Sequence, residues 1–230
     1  MRQVIAIGGG GVTAEPYNPL LDRYIIEQAG KDRPKVCWLP TASGDGIVGI
    51  AAFLSAYTAL PCQPSVLSLF RQTIPDAGAH LLAQDVILVG GGNTRNMLTL
   101  WRLWGIDTVL KEGYDRGILL CGVSAGSICW FEEGVTDSWA GELRPIAGLG
   151  FLKGSNCPHY DVEPGRRPTY QRLVGSGSMR PGYAADDGVA LHYRDDVLYA
   201  IVSAKADAKA YRLETGDAGV SETVMKPTYL

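Results

Sequence analysis

The stretch Ile118-Leu119-Leu120-Cys121-Gly122-Val123-Ser124-Ala125-Gly126-Ser127-Ile128-Cys129-Trp130-Phe131 decides how this chain is read. Its first half, residues 118–123, is an unbroken apolar run of the kind a buried parallel strand requires. Its second half, residues 125–131, suits the start of a helix. Between them stands Ser124, flanked by small residues in the layout of a nucleophile elbow. In such an elbow a sharp strand-to-helix turn pushes one side chain out at the carboxyl end of a sheet, and the helix N-terminus behind it favours developing negative charge. Gly122 and Gly126 complete the pattern Gly-x-Ser-x-Gly. Small residues that merely pack a strand against a helix give the same five letters, so the pattern alone leaves a structural and a catalytic reading level.

Working outward, strand-like segments at residues 3–7, 35–39, 65–70, 85–89 and 117–123 are rich in Val, Ile and Leu. They alternate with helical candidates at residues 19–29, 46–57, 77–83, 94–103 and 106–115. Alternation of this kind predicts an α/β fold of three layers, a mostly parallel sheet with helices on both faces. After Asp137 the chain becomes rich in Gly and Pro, and the later strand candidates at residues 188–193, 197–203 and 210–213 read as antiparallel additions to the same sheet. The expectation is one α/β domain over residues 1–230.

Composition narrows the function classes. A formal charge of −3 over 230 residues gives no basic footprint for nucleic acid. No apolar stretch approaches the ~20 residues that span a bilayer, so no membrane partner is expected. The five cysteines are scattered without a Cys-x-x-Cys pair, which supports neither a zinc site nor a disulfide framework and predicts a reducing, cytoplasmic setting. No cofactor and no metal are expected; a homodimer is compatible with the sequence.

Small-residue loops follow the strands, at the sheet edge where open α/β folds bind ligands. Gly8 to Gly11 fail the dinucleotide fingerprint: counting from Gly8 puts Thr13 in the last glycine position, and Pro16 and Pro19 stand where the phosphate-facing helix should begin. Gly90-Gly91-Gly92-Asn93-Thr94 lies one strand before Ser124, and its backbone N–H groups could serve an oxyanion with the amide that follows the serine, or form a tight turn ended by an Asn or Thr cap.

A serine hydroxyl needs a base. Of the three histidines, His80 falls in a helical stretch and His192 in mid-strand, whereas His159 sits in an irregular segment directly after Pro158. His159 is the expected base. A carboxylate must orient it, and Asp137, Glu133, Glu142, Asp186 and Asp187 are all candidates that spacing does not separate.

At this point the chain resembles the peptidase E family of aspartyl dipeptidases, with cyanophycinase a more distant relative. The resemblance rests on Gly-Gly-Gly-Asn-Thr at 90–94, Gly-Val-Ser-Ala-Gly at 122–126, Thr136-Asp137 and Pro158-His159. It implies a fold close to class I glutamine amidotransferase domains, themselves flavodoxin-like, in which a cysteine takes the elbow position. It also implies a catalytic Ser124, His159 and Asp137, an oxyanion hole from Gly91, Gly92 and the Ala125 amide, and Arg167 as the residue that binds an acidic substrate side chain. The chain departs from the family after His159, where Tyr160 to Arg167 is shorter and more acidic. Asp161 and Glu163 there would oppose an acidic substrate or hold its free amino group, and Asp186 and Asp187 stand as alternatives to Asp137. The resulting expectation is a serine exopeptidase acting on small peptides with an N-terminal aspartate. The rivals are an α/β esterase and a non-catalytic small-molecule-binding domain on an amidotransferase-like scaffold.

Overall fold

In a computed structural model, residues 1–11, 15, 18–72, 74–140, 142–216 and 219–230 are described. Thr13 and Pro16 lie outside them.

Strands β1 (Gln3–Ile7), β2 (Lys35–Leu39), β3 (Gln63–Val66), β4 (Val86–Val89) and β5 (Leu119–Val123) form a parallel block in the order β1-β5-β4-β2-β3. Strands β10 (Val189–Arg194) and β11 (Val197–Ser203) extend the sheet beyond β1 as antiparallel additions, and β14 (Thr228–Tyr229) closes that edge. Side chains alternate across the sheet, so each strand feeds two cores. Ile5, Ile7, Val36, Trp38, Val86, Leu88 and Cys121 pack with α1 (Leu20–Gln28) and α2 (Ile47–Thr58). Val4, Ala6, Cys37, Leu39, Ile87, Val89 and Leu120 pack with α3 (Ala77–Leu82), α4 (Thr94–Trp104) and α5 (Ile106–Asp115). Full burial of each such aliphatic side chain is worth ~1.5–3 kcal/mol, which is why an unbroken apolar strand demands helices on both faces.

Local signals set the helix ends. Asn93 caps α4 by accepting the Asn96 N–H at 2.9 Å. Gly105, at φ 69°, ends α4 in the left-handed conformation and starts α5 in the same step. The third strand starts at Gln63 rather than Ser65 and ends at Val66. Among the described residues it pairs only with β2, and as an edge strand it tolerates Pro64, which has no N–H to donate.

The second half of the chain departs from expectation. Helix α6 is four residues long, Ala125–Ile128, and the chain then enters β6 (Phe131–Trp139). A second sheet of six strands follows, ordered β13-β12-β9-β8-β6-β7, from β6, β7 (Glu142–Ala147), β8 (Leu152–Cys157), β9 (Gly182–Ala185), β12 (Ala210–Gly216) and β13 (Gly219–Met225). Residues 210–213 therefore belong to this sheet and not to the parallel one. Helix α7 (Arg166–Gly175) packs Tyr170, Leu173 and Val174 against Val135, Cys157, Ala184 and Leu213 of the second sheet. The elements were illegible because their sequences are mixed: β8 reads Leu-Lys-Gly-Ser-Asn-Cys, β7 contains Pro145, and α7 carries Pro168 in its first turn. Trp130, Phe131, Leu152 and Ala185 join the core on the α4 and α5 side, so side chains of both sheets share one apolar cluster.

Candidate active site

The sheet order places β5 between β1 and β4, so the loops after these three strands meet at one edge. The Ser124 N–H still follows the β1 ladder, donating to the Ile7 carbonyl at 3.1 Å. The chain then turns through φ 56°, ψ −110° at Ser124, a conformation costly for a residue with a Cβ. This strained turn sits at the carboxyl edge of the sheet, where Ser124 lines two cavities.

His159 follows β8 and is held by its own N–H, which donates to the Gly8 carbonyl at 3.2 Å. Its Nε2 lies 2.8 Å from Ser124 Oγ, and its Nδ1 lies 2.7 Å from Oδ1 of Asp187 in the turn between β9 and β10. Burial works against ionisation of Asp187, but the hydrogen bond and charge of His159, with Lys205 and Arg166 further out, hold its carboxyl below the usual carboxylate range. An ionised carboxylate only accepts, so His159 Nδ1–H donates to Asp187 and Nε2 is left to accept the Ser124 O–H. Gly9 makes room for this pair: a Cβ there would run into both the Asp187 carboxylate and His159 Nδ1.

Asp137, implied by the resemblance as the orienting carboxylate, is not bonded to His159. It stands on β6 with its side chain 64% exposed, and its Oδ1 approaches Arg166 Nη2 at 3.6 Å. Glu133 is taken by Arg180 and Glu142 by Arg144. Asp186 turns away from His159 and accepts the Lys209 N–H at 2.8 Å. The carboxylate bonded to His159 is therefore Asp187, whose sequence signal was a paired carboxylate before Gly188. His80 contacts Ser65, and His192 is buried between Tyr24 and Gln3, so both are structural.

Gly91, Gly92, Ser124 and His159 line one cavity of about 340 Å³, together with Gly9, Gly10 and Trp38. The amides of Gly91, Gly92 and Ala125 have no hydrogen-bond acceptor among the described residues, so they are available to an oxyanion. Gly92 adopts φ +134°, and a Cβ there would collide with the Ala42 carbonyl, so only glycine lets this loop lie so close to its neighbour.

A second cavity of about 350 Å³ lies on the other side of Ser124, lined by Asn93, Asp137, Ser138, Glu163 and Arg166. Arg166 is buried, with Nε donating to Glu163 at 2.6 Å and Nη1 to the Val135 carbonyl at 2.6 Å. Arg167, expected to bind an acidic substrate side chain, has its guanidinium bonded to Glu222 and stacked over Tyr160 and Tyr211 at 5.4 and 5.0 Å. On α7 the neighbouring position faces the cleft instead, because adjacent helical residues point about 100° apart. Among the described residues no group of three or more His, Cys, Asp or Glu could hold a metal ion, and no helix is long and apolar enough to cross a membrane.

Comparison with known proteins places the chain among peptidases. The chain is 50% identical, over 230 residues and the full length of both proteins, to the uncharacterized peptidase YgaJ of Bacillus subtilis (strain 168). Its fold resembles that of a peptidase from an acI-B1 Actinobacterium, with a TM-score of 0.75 at 17% identity over 99% of this chain and 95% of the other. It also resembles a putative peptidase E protein from Listeria monocytogenes EGD-e, with a TM-score of 0.62 at 17% identity over 98% of this chain and 100% of the other. Residues 4–201 match the model of peptidase family S51, so the chain belongs to that family, the peptidase E family, and is a peptidase.

Proposed function

We propose that the protein is a serine exopeptidase that cleaves small peptides through Ser124, His159 and Asp187. The observation that carries this reading is the unbroken hydrogen-bond chain from Ser124 Oγ through His159 to Asp187 at the floor of a two-sided cleft. Ser124 attacks the scissile carbonyl as His159 Nε2 takes its proton, and Asp187 stabilises the imidazolium that forms. The amides of Gly91, Gly92 and Ala125 receive the oxyanion. His159 lines the Trp38 side of the cleft, so the leaving amine departs there after protonation by His159, and water repeats the cycle on the acyl-enzyme.

The first residue of the peptide then occupies the cavity of Asp137, Glu163 and Arg166. Arg166 Nη2 approaches Asp137 without forming a close hydrogen bond, leaving a donor for a substrate carboxylate, while exposed Asp137 faces the free α-ammonium. An N-terminal aspartate carries both charges, and we assign the aspartate preference to Arg166 in place of Arg167. The setting we infer is cytoplasmic, in keeping with five unpaired, buried cysteines.

Parallel kinetics on Asp-Leu, Ala-Leu and N-acetyl-Asp-Leu test the whole reading. Asp-Leu should be cleaved fastest and the acetylated peptide hardly at all. Equal rates on all three would refute the assignment of the polar cavity to the N-terminal residue.

A further inference from the structure

Asp187 is carried by a turn, and a turn alone does not hold a carboxylate to the fraction of an ångström that a catalytic hydrogen bond requires. In this protein the turn is tied to the segment that carries His159. That segment is itself a tight turn, in which the Glu163 N–H donates to the His159 carbonyl at 3.3 Å, with Asp161 at its tip. From there Asp161 Oδ1 accepts the backbone N–H of Asp187 at 2.9 Å. One residue earlier, the Tyr160 N–H donates to the Ala185 carbonyl at 3.2 Å. On the far side of the turn, the Gly188 N–H donates to the Gly9 carbonyl at 2.9 Å.

The Asp187 turn is thus pinned on both flanks by backbone pairs, and the N–H of Asp187 itself is held by the side chain of Asp161, outside the catalytic three. Resting on the Ser124-His159-Asp187 reading, we propose that Asp161 is a positioning residue. Its carboxylate fixes the Asp187 backbone so that Oδ1 meets His159 Nδ1, and because His159 and Asp161 share one short turn, the base and its orienter move as a unit. A carboxylate suits the task because a charge-assisted bond to an N–H is about twice as strong as a neutral one.

The test uses the full-length protein and two readouts: the rate at which a fluorophosphonate labels Ser124, and kcat and KM on a cleaved dipeptide. Asp161→Ala should lower both the labelling rate and kcat about tenfold, as loss of one partly exposed charged hydrogen bond does, with KM within about a factor of two. Asp161→Asn keeps an oxygen acceptor and should recover most of the loss. In the double variant Asp161→Ala with Asp187→Asn, the loss should not exceed that of Asp187→Asn alone, since Asp161 acts through Asp187. Wild-type labelling in Asp161→Ala, a defect in Asp161→Asn equal to that in Asp161→Ala, or additive losses in the double variant would each overturn the positioning role. A wild-type protein that is not labelled at all would overturn the triad reading and this inference together. Labelling without dipeptide cleavage would overturn only the substrate assignment, leaving the positioning role supported or refuted by the labelling rates.

Discussion

Oδ1 of Asp187 lies 2.7 Å from Nδ1 of His159, across 28 positions of chain, and both side chains are only 18% exposed. That contact fixes the imidazole tautomer. It also requires Gly9 below it, Gly8 behind His159 and the end of β9 beside it, so the loop after β1 joins the segments that carry His159 and Asp187 in making one hydrogen bond.

Replacing Ser124 by Ala should lower peptide turnover by about 10⁴-fold or more, leaving only what the amides and binding supply. The fold should persist, because the elbow is built around small residues. Steady-state kinetics with a thermal melt checks both points, and a variant that keeps a tenth of wild-type turnover would exclude Ser124 as nucleophile.

Asp187→Asn should reduce kcat by ~10⁴, since an amide NH₂ facing Nδ1 selects the wrong tautomer. Asp137→Asn should leave kcat within about tenfold and raise KM instead, because that carboxylate faces the substrate cavity and not His159. Measuring the two variants side by side decides between them; a crippled kcat in Asp137→Asn with an active Asp187→Asn would reverse the assignment.

Arg167→Met should not alter the ratio of Asp-Leu to Ala-Leu cleavage. It should lower the melting temperature modestly: stacking of an exposed guanidinium on each tyrosine is worth ~0.5–1 kcal/mol, and its half-exposed pair with Glu222 adds ~1 kcal/mol at most. Arg166→Met should collapse that ratio, and Asp137→Asn provides a check that leaves the Arg166–Glu163 pair intact. A specificity change confined to Arg167→Met would return recognition to that residue.

Burial pushes the Asp186 carboxyl up to about 6 from 3.8, with the charge of Asp161 adding to the rise and the Lys209 N–H partly offsetting it. Its Oδ1 is buried without a partner among the described residues. Below about pH 4 the group is protonated in folded and unfolded chains alike and has no effect. As pH rises through about 6 the folded state must ionise a group it disfavours, so stability is lost upward. Asp186→Asn should therefore raise the melting temperature at about pH 8, with the gain vanishing near pH 4; a gain independent of pH would dissociate it from ionisation.

How much of this was legible in the sequence follows the range of each interaction. Four of the five parallel strands, the helices α1 to α5, and the selection of His159 over His80 and His192 as the histidine beside Ser124 could be read, because each rests on apolar runs or on residues within one turn of chain; β3 was displaced toward its N-terminal end. The second sheet could not. Its strands mix polar residues and glycine among the apolar ones, and they are stable only because each finds its neighbours.

The sequence by itself determined an α/β frame with a strained serine at its carboxyl edge and a loop histidine to serve it. Only the tertiary structure decided which carboxylate bonds to His159 and which arginine lines the cavity. Asp187 reaches His159 because β9 runs parallel to β8 in the second sheet, which brings the ends of both strands to one place. Arg166 faces the cavity, and Arg167 the Tyr160–Tyr211 stack, through the rotation of one helical residue. Neither fact has a local signature, because strand neighbours and helix phase are set by packing against the rest of the chain.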